Sequence, residues 1–258
     1  MGERVLTLPR AYLFGRPEIN FNGLITDPSL LGGLDGSVLA TYYAANPRRL
    51  LFQPKNAIDS VRSPTSKDLV HVVTYDIFYF DSDGSVKILV SDIDRTGPRG
   101  RSLGGLLNIG WGGHVNEMYL DPLTIKMEEA LHIIMEASPE GLILNEQAIN
   151  AYQRLVRYFH AYLVAHHFRE MFEELEFIEL PTSSKFLGWV YTPKDRFNAS
   201  HIGHVVVHRM KVMEDIRGLT PAEAIKTVNS RWTQLEQILE SPKQAPWTEA
   251  VVKTFVRN

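Results

Sequence analysis

Residues 69–80 read Leu-Val-His-Val-Val-Thr-Tyr-Asp-Ile-Phe-Tyr-Phe, a run dense in β-branched and aromatic side chains. Asp81-Ser82-Asp83-Gly84 supplies a turn, and Val86-Lys87-Ile88-Leu89-Val90 supplies a second strand, so 69–90 is predicted as a β-hairpin. Leu106 to Trp111 is a short strand candidate that ends in Gly112-Gly113. Further strands are predicted over Lys185–Tyr191 and His201–Met210.

Helical patterns separate these strands. Leu123 to Ala137 is amphipathic and stops before Ser138-Pro139. Asn145 is placed to cap the next helix, with Glu146 in its first turn, where negative charge suits the helix dipole. Periodicity then runs to about Phe177, long enough that a break or bend is expected. From Pro221 onward the pattern reads as helical, with Thr220-Pro221-Ala222-Glu223 as its start signal. The order strands, helices, strands, helix predicts an α/β (α+β) fold with a mixed sheet and helices packed on it, not a strictly alternating parallel sheet.

Domain organisation follows from composition along the chain. Residues 1–66 mix Gly, Pro and Asn with short apolar pieces such as Tyr12-Leu13-Phe14, and Ser60 to Ser66 reads as a connection. We therefore expect an N-terminal extension, 1–66, packed on a core domain, 67–258. The length of 258 residues suits one large domain or two small ones. A formal net charge of −3 argues against general nucleic-acid binding. It leaves room for a local basic pocket for a phosphorylated small molecule. With no cysteine, thiolate metal sites and disulfides are excluded. No signal-like start and no membrane-length apolar run is visible, so the cytoplasm is the expected location.

The chemistry-bearing segment is Arg169-Glu170-Met171-Phe172-Glu173-Glu174-Leu175-Glu176-Phe177. Residues three and four apart are neighbours on a helix, so Glu170, Glu173 and Glu174 share a face. Three like charges there are unfavourable without a counter-charge. Mg2+ or Mn2+ would supply one, since hard cations take oxygen ligands. Arg169 is placed to fix a carboxylate. The competing reading is a solvated glutamate face, because Glu is a common helix former.

This segment resembles the second half of the Nudix box, Arg-Glu-U-x-Glu-Glu-x-Gly-U, where U is a bulky apolar residue. Asn108-Ile109-Gly110-Trp111-Gly112-Gly113-His114-Val115-Asn116 resembles the Gly-Gly-His signature of a Nudix-like phosphoesterase subgroup. Ser200-His201-Ile202-Gly203-His204-Val205-Val206-Val207 resembles that subgroup's His-Leu-Gly strand. The three occur in the expected order, over roughly residues 67–215. The box is split, with 117–168 as a helical insertion, and Glu176 replaces its late glycine. The resemblance implies a Nudix-like α/β/α sandwich and metal-assisted hydrolysis of a phosphoanhydride in a nucleotide or nucleotide conjugate. It implies Glu170, Glu173 and Glu174 as metal ligands, with Glu173, Glu174 and Arg169 as the catalytic set. Gly112 and Gly113 would let the backbone turn beside the site. A non-catalytic Nudix-like binding or assembly module is the alternative.

Among other candidates, Arg95, Arg99 and Arg101 lie in a loop where they could grip phosphates or a base. With Gly112, Gly113 and His114 they form the expected substrate-binding set. For His114 a structural hydrogen bond across the turn competes. His204 and His208 share a strand face, with His201 close by, but no acidic partner stands at a zinc-hydrolase spacing. His166-His167 could touch substrate or pack. Tyr75 and Trp111 read as buried aromatics with base stacking as the alternative. Leu131, Ile134, Leu155, Tyr158, Phe159 and Tyr162 in the insertion could bury against the domain or form a homodimer interface.

Overall fold

The computed structural model describes residues 3–9, 23–26, 52–55, 69–94, 103–117, 122–137, 145–193, 200–225 and 227–255. The predicted hairpin is present: β4 (Leu69–Ser82) turns through Asp83 and Gly84, both at positive φ, into β5 (Ser85–Ile93). The first ten residues of β4 are all buried, the pattern of a strand covered on both faces rather than one.

That burial follows from the topology. β9 (His201–Arg209) pairs in parallel with β4 from His71↔His201 to Tyr79↔Arg209. β8 (Ser183–Tyr191) lies antiparallel to β9, and β2 (Gly23–Ile25) to β8. On the other side, β11 (Thr227–Gln234) pairs with β5, and β6 (Leu107–Asn108) also joins β5. β1 (Arg4–Pro9) pairs with both β4 and β3 (Phe52–Pro54). These form one mixed sheet, and β7 (Leu175–Phe177) with β10 (Ile216–Leu219) forms a separate antiparallel pair.

Helices cover both faces. α1 (Pro122–Ala137) and α2 (Glu146–Glu174) pack together and on Leu6, Val70 and Val72 through Met127, Ile134, Leu155, Phe159 and Tyr162. Each large side chain buried there contributes about 1.5–3 kcal/mol relative to exposure. Leu131 joins the same core, with Tyr158 half-buried against it, so these six insertion residues bury within the chain. On the opposite face, α3 (Leu235–Glu240) and α4 (Pro246–Phe255) bring Ile238, Trp247 and Val251 against Val73, Tyr75, Ile77 and Val205. From Val70 onward the side chains of β4, and those of β9, alternate between these two layers, odd numbers toward α4 and even numbers toward α2. The result is an α/β/α sandwich.

Two expectations are corrected. α2 is one continuous helix from Glu146 to Glu174, without the expected break. It contains no Gly or Pro, and Asn145 caps it by accepting from the Ala148 N–H at 2.7 Å. The region after Pro221 is not uniformly helical. Thr220 does act as a cap, accepting from Glu223 N–H at 3.3 Å, but only a 3-10 turn follows. Thr227–Gln234 then becomes the edge strand β11 that β5 requires, ahead of α3 and α4. Among the described residues no helix is long and apolar enough to cross a membrane.

Candidate functional site

The Gly-Gly segment runs alongside β4. Asp76 and Trp111 exchange backbone hydrogen bonds at 2.7 and 2.8 Å, and Thr74 N–H donates to Gly113 O at 2.9 Å. Along it, side chains alternate. Trp111 and Val115 face the α2 layer, while His114 faces the other side of the sheet with His71 and His201. Gly113 therefore points at α2. A Cβ there would lie 2.5 Å from Glu170 Oε2, closer than any real contact. Gly112 has φ +137°, and a Cβ on it would lie 2.5 Å from Thr74 O. The glycines are thus needed for close approach on one residue and for backbone conformation on the other.

The glutamates are not equivalent. Glu170 and Glu174 are buried one turn apart, 8% and 6% exposed. Glu173 is exposed, and its Oε1 accepts from Arg169 Nε at 2.6 Å. That hydrogen bond, more than the burial opposing it, raises the Arg169 pKa above its ordinary value. The carboxylates of the three glutamates do not converge on one point. Among the described residues, the group of three whose ligand atoms do converge is His71, His114 and His201.

Behind the glutamates, α2 docks on β4 through a buried polar chain. Asp76 Oδ1 accepts from His167 Nδ1 at 2.6 Å and from His208 Nε2 at 2.7 Å. His167 Nε2 lies 2.7 Å from His204 Nδ1, and Ser184 Oγ lies 2.8 Å from His208 Nδ1. One tautomer assignment satisfies every link with all three histidines neutral. His204 donates to His167, His167 and His208 donate to Asp76, and the Ser184 hydroxyl donates to His208. Burial pushes the Asp76 carboxyl up, but the attraction and hydrogen bonds of His167 and His208 outweigh it and hold the pKa below the ordinary value. Burial, then the charges of His167 and His160, holds His204 well below the ordinary imidazole value.

On the other face, His114 Nε2 lies 3.2 Å from His71 Nδ1 and 3.0 Å from His201 Nε2, and the last two are 3.3 Å apart. His71 and His201 are buried and His114 is half-buried. Burial, followed by the charges of His201 and Lys55, lowers the His71 pKa to about 3. His114 and His201 line a partly open pocket, with Gly112, Gly113, Tyr75, Asn108 and Trp247 also on its wall.

No family model and no curated protein sequence matches the chain. Solved structures do. The crystal structure of Tm1382, a proposed Nudix hydrolase, superposes with a TM-score of 0.50 over 99% of this chain and 99% of that one, at 13% identity. The fold is Nudix-like. The Nudix domain of Shewanella oneidensis NrtR, solved with ADP ribose, matches at a TM-score of 0.41 and 12% identity, over 80% of this chain and 99% of that one. RenU, a Nudix hydrolase from M. smegmatis, matches at 0.30 and 11%, over 72% and 84%.

Within this Nudix-like fold, the two separated sequence segments meet, since Glu170 touches Gly113. The position of the missing late glycine, Glu176, lies in β7, because α2 ends at Glu174. Arg95, Arg99 and Arg101 lie outside the described residues, as does the Ser60–Ser66 connection. The histidine grouping read from sequence is divided: His204 and His208 join Asp76 on the α2 face, and His201 joins His71 and His114 on the opposite face. The acidic partner sought near His204 and His208 is Asp76, which sequence spacing hid. Both histidines of the pair at 166–167 are buried: His167 hydrogen-bonds Asp76, and His166 packs its ring against Tyr162. Tyr75 and Trp111 are buried, 6% and 2% exposed, and Tyr75 Oη donates to Asn108 at 3.1 Å.

Proposed function

We propose that the chain is a divalent-metal-dependent phosphohydrolase that cleaves a phosphoanhydride in a nucleotide or nucleotide conjugate. The observation that carries this reading is the contact between Glu170 on α2 and Gly113 of the Gly-Gly turn. The sequence separates these elements by the insertion, yet the fold joins them.

The donor set fits a hard cation. Glu170 and Glu174 present carboxylate oxygens from adjacent turns in a buried setting, where two like charges favour a shared counter-ion. Mg2+ or Mn2+ requires only one or two protein carboxylates beside water and substrate oxygens. In this reading Glu170 and Glu174 bind the ion directly, and Glu173, held apart by Arg169, completes the ligand set through an ion-bound water. A bound ion would polarise the phosphoryl oxygen and activate the attacking water.

The chain's own residues supply the rest. Arg169 holds the Glu173 carboxylate in place along the helix. Gly113, having no side chain, lets the Glu170 carboxylate come up against the Gly-Gly turn. Gly112, Gly113 and His114 contact the substrate, and Arg95, Arg99 and Arg101 grip its phosphates in this proposal. The test is release of phosphate or nucleoside monophosphate from a panel of nucleotides and conjugates, with Mg2+ or Mn2+ and with chelator. Turnover that requires the metal supports the reading. Its absence across the panel favours the second reading, a Nudix-like binding or assembly module. The exposed, Arg169-bound Glu173 is the observation in favour of that second reading, because its carboxylate stands apart from the other two.

A further inference from the structure

We propose that His71, His114 and His201 form a site for a borderline divalent metal ion of the zinc class, on the sheet face opposite the glutamate helix. The argument starts from the three ring nitrogens that face one another at 3.0, 3.2 and 3.3 Å. Each neutral imidazole nitrogen is either an N–H donor or a one-lone-pair acceptor. A triangle of three such atoms can hold only one good hydrogen bond. A second donor would need the same lone pair, and two acceptors repel. Hydrogen bonding therefore leaves at least two of the three edges unfavourable. A cation at the centre uses all three lone pairs at once.

The spacing fits that role. Zinc–nitrogen bonds of about 2.0–2.1 Å in a tetrahedron set ligand atoms about 3.3 Å apart. Imidazole suits zinc, copper, iron or nickel, whereas magnesium prefers oxygen. The outer contacts agree. Ser200 Oγ lies 3.0 Å from His201 Nδ1, so an Nδ1–H donated to Ser200 sets the tautomer whose Nε2 lone pair faces the other two rings. The nearby Lys55 ammonium is neutralised by Glu3 Oε2 at 2.9 Å.

Three histidines leave a fourth position, and His114 and His201 both border the cavity that Tyr75, Asn108 and Trp247 line. Three protein ligands with one position open to a cavity is the arrangement of zinc sites that accept water or a ligand donor. This separates the site from a closed structural zinc, which takes four protein ligands.

The test uses the full chain, stripped with chelator and titrated with Zn2+ against a chromophoric competitor, with Mg2+ in parallel. The expected result is one Zn2+ per chain at micromolar or tighter affinity, not displaced by excess Mg2+. Affinity should fall at least about 100-fold in His114→Ala and His201→Gln. It should be unchanged in Glu174→Gln. No zinc binding by the folded wild type, or equal binding in both histidine variants, overturns the site. A second measurement does not depend on the variants folding. X-ray absorption of the zinc-loaded wild type should show three imidazoles and one further oxygen or nitrogen donor, and a carboxylate-dominated shell contradicts the proposal.

Discussion

The carboxylate of Glu170 rests on Gly113, with Oε2 2.5 Å from where a Cβ would stand. The contact joins α2 to the Gly-Gly turn, and it has a direct consequence. Gly113→Ala must displace the Glu170 carboxylate, the end of a flexible side chain, so its stability cost lies at the low end of the roughly 1–3 kcal/mol of overpacking. We expect a lower urea midpoint and, under the hydrolase reading, a loss of Mg2+-dependent turnover larger than the stability change explains. A variant as stable and as active as wild type would show that the contact carries no function.

Arg169 and Glu173 separate stability from activity. Their ion pair is exposed, so it is worth no more than about 1 kcal/mol. Arg169→Ala should leave the melting temperature nearly unchanged while lowering kcat, because Glu173 then loses the group that positions it. A substantial drop in melting temperature with unchanged kcat would place the pair in the structural framework instead.

Asp76 has the opposite character. It is fully buried and accepts from two histidines through Oδ1. Asp76→Asn removes the anion that both N–H groups address, and hydrogen bonds to a charged group are worth about 1.5–3 kcal/mol each. We expect a loss of about 3 kcal/mol or more in denaturant unfolding at neutral pH. An effect within about 0.5 kcal/mol, the range of surface substitutions, would contradict the network as drawn.

The same chain sets a pH dependence. His204, and His71 in metal-free protein, have folded pKa values below the ordinary 6.5. Their neutral forms stabilise the fold fully above pH 6.5. As the pH falls from there toward 3, the unfolded chain binds protons that the folded chain refuses, and stability drops by up to about 1.4 kcal/mol per pH unit for each histidine. Asp76, lowered from 3.8, adds stability that is present above 3.8 and lost below it. Chelator-treated protein unfolded in urea at a series of pH values should therefore weaken steadily below 6.5. A flat profile between pH 7 and 4.5 would contradict the burial of these histidines.

Local chemistry made much of the fold legible. The β-branched run at 69–80 and the Asp-Gly turn specify β4 and β5 by themselves, and Asn145 marks the start of α2 one residue before the helix. β11 was missed because Thr220 and Pro221 signal a helix that lasts one turn, while its strand character depends on pairing with β5, a long-range requirement. The candidate site divides the same way. Glu170, Glu173 and Glu174 stand out because one helix carries them. His71, His114 and His201 lie 43, 87 and 130 residues apart and meet only through strand register, His71 opposite His201. A histidine inside an otherwise apolar buried strand, as at 71 and 201, was the available signal. Asp76 offered a similar one, an acid in the middle of the apolar run.

The most direct test of the central claim is steady-state turnover of the best substrate from the nucleotide panel by wild type and Glu174→Gln, at saturating Mg2+, with both proteins confirmed folded by circular dichroism. The account predicts metal-dependent turnover in wild type and a fall of at least about a hundredfold in kcat for the variant, the scale on which loss of an electrostatic catalytic group is felt. Equal turnover in the folded variant would contradict it and remove the glutamate helix from the chemistry.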